Sequence, residues 1–464
     1  MTKTNSKITE GPIFIRLLLF TIPIMLTGLL QVAYGIADNI VVGRFSGDEY
    51  ALAAVGSTSS LTSLIVAFLM GISTGAGVVI AQAHGAGNRD MAERAVRTSM
   101  SAAICFGAAF SILALLLSKP ALTLMGTKPE VFDSAVKYFR IICLGIPAST
   151  FYNFGNATLR SLGNSKVSLY ILSLSGLLNV VLNLFFVIVC GMTVDGVALA
   201  TIISQYASAA AILLYMAPKR HNEAEFTLKS FKIDNALLAR VLKIGVPAGL
   251  QSSIFSFSNI ILTSGCNTLP TAAVTGRTIS FNIDGMVYTA MDSYTHSVTT
   301  YIGQNYGARK PDRIKKTMLF SIIQVVGVGI LLGQLIIAFS RPIISMYLAP
   351  GDPNFNEVLM YSMDLTKFIL SCYFMAGIMN TMNGISRGLG NSVAPMIIGI
   401  VGTCVIRIIW VSVFFPMEIF HTLPGLYYCY PITWIFSIVC LIFTIIWTYN
   451  RAKKKGTLES LSQD

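Results

Sequence analysis

Uninterrupted apolar runs recur along this chain from end to end. Between Leu17 and Val42 only one residue, Asp38, carries a charge. A run of that kind is long enough to cross a lipid bilayer, which takes about 20 apolar residues. In hydrocarbon every backbone N–H and C=O must be satisfied internally, so only helices and closed barrels span it. Barrel strands alternate polar and apolar residues, and these runs do not. The sequence therefore reads as an all-α, polytopic membrane protein. Only 12% of its residues are charged and 54% are hydrophobic, whereas soluble domains average about 25% charged. That deficit excludes an ordinary cytosolic enzyme.

Apolar runs between polar breaks predict twelve helices, over 13–41, 51–83, 96–118, 135–157, 167–190, 194–217, 240–264, 271–302, 317–340, 361–384, 393–416 and 424–449. Pro23 and Pro247 fall inside their runs and mark bends. The longest charged segment, 218–239, divides the chain into an N-terminal six-helix bundle (1–217) and a C-terminal one (240–450), with a tail at 451–464.

The net charge of +12 is concentrated in short loops, not in a nucleic-acid module. Arg89, Arg94 and Arg97 follow the second run. Lys219, Arg220, Lys229 and Lys232 follow the sixth, and Arg309, Lys310, Arg313, Lys315 and Lys316 follow the eighth. The odd-numbered loops are poor in basic residues. Cationic loops stay cytoplasmic, so both termini and the 218–239 linker are assigned to the cytoplasm and the chain to the plasma membrane. The eight cysteines are scattered through apolar runs without a CxxC pair, which suits small buried hydrophobes better than a disulfide framework or a zinc site. No cleavable signal peptide is expected.

The halves resemble each other. Ile22-Pro23 matches Val246-Pro247. Gln82 with Gly85-Ala86 matches Gln304 with Gly307-Ala308, and Asp90 matches Asp312. Arg160-Ser-Leu-Gly-Asn-Ser165 matches Arg387-Gly-Leu-Gly-Asn-Ser392. Six helices is an even number, so both halves enter the membrane from the same side and the repeat is parallel, an architecture suited to alternating access.

The ordered motifs carry a family resemblance. The run Ala37-Asp-Asn-Ile-Val-Val-Gly43, then Ala51-Leu-Ala-Ala-Val-Gly56, together with the paired motifs above and Gly196-Val-Ala-Leu-Ala-Thr201, resembles the multidrug and toxin extrusion (MATE) transporters over nearly the whole chain, and within them the bacterial DinF-type branch. The resemblance implies an antiporter that admits sodium ions or protons while expelling organic, cationic and amphipathic compounds. It implies a coupling-ion site at Asp38, with Asn179 and Thr201 as companions. The family's second acid on the fifth helix is here Asn183, which removes one charge from a sodium site and leans coupling towards protons.

The residues themselves support and qualify that expectation. A carboxylate within a span is expensive, by about 2.5–3.5 kcal/mol on insertion scales, and needs water, a cation or a proton to offset it. Asp38 lies only six residues before Arg44, however, so a hydrated place near the membrane surface is the competing reading. Asn179 and Asn183, four apart, share a helical face and serve either as ligands or as interhelical glue. Thr201 has the alternative of bonding its own helix. Gln31 and Tyr34 precede Asp38 by two turns and one, and are candidates to line a cleft. In the second half Arg277 and Asp284 share a face and are expected to form a structural ion pair, with Asp284 and Asp292 alternatives for a second proton or substrate site. His296 is a candidate shuttle beside Asp292, and Arg407 stands alone in the eleventh run. Gly71-Ile-Ser-Thr-Gly-Ala-Gly77 lacks the Lys-Ser/Thr ending of a P-loop and suits close helix packing.

The chain is thus expected to be a monomeric secondary transporter, not an enzyme. It would have no cofactor beyond a coupling H+ or Na+, with small organic substrates and the lipid bilayer as partners. The main rival is a lipid-linked precursor flippase or polysaccharide exporter of related architecture. A channel or scaffold without a coupled cycle is the other.

Overall fold

The computed structural model describes residues 8–45, 51–217, 225–348, 353–454 and 456. Arg44 has no described side chain, and 218–224 of the linker and 457–464 of the tail lie outside the described residues. The described residues form no strand. Twelve long helices follow in order: α1 Ile13–Phe45, α2 Ala51–Gly85, α3 Arg89–Leu124, α4 Pro129–Ser161, α5 Lys166–Val189, α6 Val194–Tyr215, α7 Asn235–Cys266, α8 Thr271–Gly307, α9 Pro311–Ala338, α10 Phe355–Gly388, α11 Val393–Phe414 and α12 Leu423–Lys454. Each expected run is a helix. Several extend well past it, because hydropathy sees only the apolar stretch. The polar first turns of α3, capped by the Asn88 side chain accepting from Met91 N, are as helical as the rest. Among the described residues nine helices are long and apolar enough to cross a membrane on composition alone.

The chain divides into two compact units, pseudo-symmetric six-helix bundles in broad outline. One holds 22–253 and the other 9–21 with 254–464. The division does not follow the linker. The first turns of α1 belong with the C-terminal unit, where Gln324 Nε2 donates to Phe14 O at 2.6 Å and Phe20 meets Tyr301 edge-on at 5.5 Å. The first turns of α7 belong with the N-terminal unit, where they cross α2 at backbone contact. A Cβ added to Gly71 would strike Gly249, one at Gly75 would strike Gly245, and one at Gly245 would strike Ile72. The glycine-rich segment of α2 is therefore a packing device, as its sequence context suggested.

The repeated motifs are repeated geometry. Gly163 and Gly390 both sit at φ 89°. Their amides donate to Arg160 O and Arg387 O at 2.9 and 2.8 Å, closing α4 and α10 in the same way. The following asparagines tie these turns to the last helix of each half, Asn164 Nδ2 to Tyr215 Oη at 2.8 Å and Asn391 Nδ2 to Thr448 Oγ1 at 3.0 Å. The Gln-x-x-Gly-Ala motifs end α2 and α8 alike, with Ala86 N bonded to Gln82 O and Ala308 N to Gln304 O at 3.0 and 2.9 Å. One substitution breaks the likeness. Gly87 takes the left-handed turn at φ 69°, and in the second half that position is Arg309 at φ 54°.

Candidate functional site

Asp38 is on α1 in the N-terminal unit, and its neighbours come from α5. Asn183 Nδ2 donates to Asp38 Oδ1 at 2.5 Å and also to Asn179 Oδ1 at 3.3 Å. The i, i+4 spacing of the two asparagines puts both amides on the face of α5 that meets α1. Asn183 is fully buried, and its own Oδ1 has no hydrogen-bond partner. That amide oxygen can accept from a hydrogen-bond donor, or ligate a hard cation if the amide turns.

Asp38 and Asn179 line a cavity of roughly 320 Å³ with Thr201, Gln31, Tyr34 and Gln205. Asn183 sits behind that wall. Asp38 thus has polar neighbours from the adjoining helix. Tyr34 Oη donates to Ser173 O at 3.3 Å, and its ring occupies the space that a Cβ on Gly176 would fill, so α1 and α5 approach closely here because position 176 is glycine. The Thr201 hydroxyl donates to Val197 O of its own helix at 2.9 Å, which is the local alternative expected for it, while the residue lines the cavity.

The C-terminal unit has a second cavity, of about 210 Å³, lined by Asp284 and Arg407 among aromatic rings. Here the sequence expectation needs correction, because Arg277 and Asp284 do not form an ion pair. The Arg277 guanidinium donates through Nε to Tyr427 Oη at 2.5 Å and through Nη2 to Thr263 Oγ1 at 2.8 Å, and lies 4.6 Å from the centroid of the Phe281 ring. Seven residues along a helix is about 10 Å of axial rise, too far for the pair to meet when nearer partners exist. His296 Nε2 stands 3.8 Å from Asp292 Oδ2, and Thr295 Oγ1 donates to Asp292 Oδ1 at 3.2 Å. Arg277, Asp292 and His296 line neither of these two cavities.

The sequence reading passed over the aromatic lining of the second cavity. Tyr430 and Trp434 are four apart on α12, and their rings stack at 5.3 Å. That spacing was a usable signal, since i, i+4 aromatics share a face. Asn259 lines this cavity and accepts from Arg407 Nη1 at 3.4 Å.

The MatE family model matches the chain twice, over 23–185 and 247–412, once in each half. The chain belongs to the MATE family. It is a multi-pass membrane transporter and not an enzyme. Two relatives illustrate the kinship. A probable multidrug resistance protein, YoeA of Bacillus subtilis, is 28% identical over 390 residues, covering 82% of each chain. The multidrug export protein MepA of Staphylococcus aureus is 25% identical over 323 residues, covering 69% of this chain and 70% of that one. Among solved structures, an outward-facing multidrug resistance MATE transporter superposes with a TM-score of 0.88 at 21% identity, over 99% of this chain and 100% of the other. A MATE structure in a bent conformation gives 0.86 at 22% identity, over 99% and 100%. Both confirm the twelve-helix MATE fold expected from the sequence.

Proposed function

We propose that this MATE protein is a cation-coupled antiporter, driven by H+ or Na+, that exports organic, cationic and amphipathic compounds by alternating access, with both termini in the cytoplasm. The observation that carries this reading is the Asp38–Asn183–Asn179 chain of hydrogen bonds on one wall of a membrane-embedded cavity. A carboxylate so placed holds a proton or a cation in one state and an amide hydrogen in the other. Occupancy of Asp38 therefore changes how α1 is held to α5, and an ion that binds one state better shifts the equilibrium by its differential affinity.

The donor set suits sodium in its chemistry: one carboxylate, two amide carbonyls and a hydroxyl, all oxygen. It is poorer in charge than a two-acid site, and Asn183 would have to turn its Oδ1 towards the ion. Protons need no such rearrangement. The flippase alternative would need several cations to hold a pyrophosphate. The lining of the Asp38 cavity has no basic side chain, and Arg407 is the one arginine in the lining of the other.

The test is dye efflux from proteoliposomes, with sodium and proton gradients imposed separately. Uphill efflux under at least one gradient is expected. Passive equilibration under both, with folded protein, contradicts the reading.

A further inference from the structure

The second cavity holds two buried ionisable groups, one basic and one acidic, that the coupling site does not use. Arg407 is fully buried on α11. Its Nη1 donates to Ser258 Oγ at 3.2 Å and to Asn259 Oδ1 at 3.4 Å, but its Nε and Nη2 have no acceptor. Asp284, 4% exposed on α8, has an Oδ1 with no donor. No ion pair joins the two. Each is a group that burial penalises unless something completes its hydrogen bonds.

The space they share is walled by flat rings. Phe255 and Tyr288 stack at 6.2 Å with planes 12° apart, and Tyr430 and Trp434 stack at 5.3 Å with planes 6° apart. Arg407 Cζ lies over the Tyr430 ring, 4.3 Å from its centroid, so the guanidinium is held against one wall. A cation anchored by rings, with two N–H groups unspent, suits a planar anion such as a carboxylate. An unspent carboxylate oxygen suits an ammonium.

We infer that the C-terminal cavity is a receptor for an amphoteric aromatic molecule, whose carboxylate meets Arg407, whose ammonium meets Asp284 and whose ring lies between the stacked aromatic pairs. The volume of about 210 Å³ matches a bicyclic ring with a short side chain. The inference takes from the export reading only that the ligand is an organic solute. It departs from that reading in requiring an acid group as well as a basic one.

Three indoles of one frame test it: tryptophan carries both charges, tryptamine only the ammonium and indole-3-propionate only the carboxylate. Equilibrium binding of each radiolabelled probe is measured on the full-length protein in detergent. Tryptophan is expected to bind at least tenfold more tightly than either single-charge probe. In Arg407→Gln its advantage over tryptamine disappears. In Asp284→Asn its advantage over indole-3-propionate disappears. These are ratios within one preparation, so a lower folded fraction does not imitate them. Equal binding of all three probes, absence of binding below millimolar concentration, or ratios unchanged in both variants would overturn the inference. Intact probe selectivity in a protein that shows no gradient-driven efflux sinks the coupling reading alone. Efflux without selectivity sinks this one alone.

Discussion

Asn183 donates its side-chain amide to Asp38 across 2.5 Å, joining α5 to α1 inside the N-terminal unit. It is shorter than the other side-chain link described between those helices, Tyr34 Oη to Ser173 O at 3.3 Å. Replacing Asn183 by Leu removes the donor and leaves the carboxylate without it. A hydrogen bond to a charged group contributes about 1.5–3 kcal/mol, so thermal unfolding in detergent should show a loss of about 2 kcal/mol, with efflux reduced.

Asn183→Asp acts in the opposite sense on ion choice. It sets a second carboxylate against Asp38, and two acids so close hold a cation or a shared proton between them. Efflux should become more sodium-dependent, with the half-saturating sodium concentration falling by about tenfold, or about 1.4 kcal/mol. A sodium titration of dye efflux measures it. No change in sodium dependence would remove Asn183 from the ion's surroundings.

Gly176 sets how closely α1 and α5 approach. An alanine Cβ there runs into the Tyr34 ring, and overpacking of this kind costs about 1–3 kcal/mol. Gly176→Ala should lower both thermal stability and transport. Adding Tyr34→Ala, which empties the space, should recover the stability. A double-mutant cycle on unfolding midpoints reads the coupling directly.

Much of this was legible in the sequence, for identifiable reasons. The apolar runs show the twelve helices because lipid leaves the backbone no other choice. The paired Arg-x-Leu-Gly-Asn-Ser motifs mark one turn used twice, since each needs glycine at φ 89°. Asp38 stood out because a lone charge in a span is conspicuous, whereas the α5 amides were picked out by the family resemblance and by their i, i+4 spacing. Helical spacing was a sound guide over one turn, as with Asp292 and His296, and misled over two, as with Arg277 and Asp284. The exchange of the first turns of α1 and α7 between units could not be read, because hydropathy does not specify a partner. Pro23 and Pro247 lie inside those helices but do not specify a partner either. Arg407 and Asp284 were visible as ionisable residues, but their shared cavity depends on three-dimensional packing of α7, α8, α10, α11 and α12.

Arg309 offers a stabilising change. It holds the left-handed turn that Gly87 holds in the other half, and a non-glycine residue there costs on the order of 1 kcal/mol. Arg309→Gly should raise the unfolding midpoint by a few degrees and leave efflux unchanged. A fall in the midpoint would mean that the arginine side chain contributes more than its backbone costs.

The α2–α7 crossing should be intolerant of volume. Gly249→Leu would force a side chain into the backbone of Phe68 and separate the helices, well beyond the few kcal/mol of ordinary overpacking. Loss of monodisperse protein on size-exclusion chromatography is the expected outcome. Normal elution would show that the crossing adjusts more freely than its geometry implies.

The central claim is that the charge state of one carboxylate on α1 ties ion movement to export. It is tested most directly by comparing the protein with Asp38→Asn in proteoliposomes, at equal reconstitution, under an imposed proton or sodium gradient. The account predicts that the variant still binds dye but no longer moves it uphill. Gradient-driven efflux at the unsubstituted rate would contradict it.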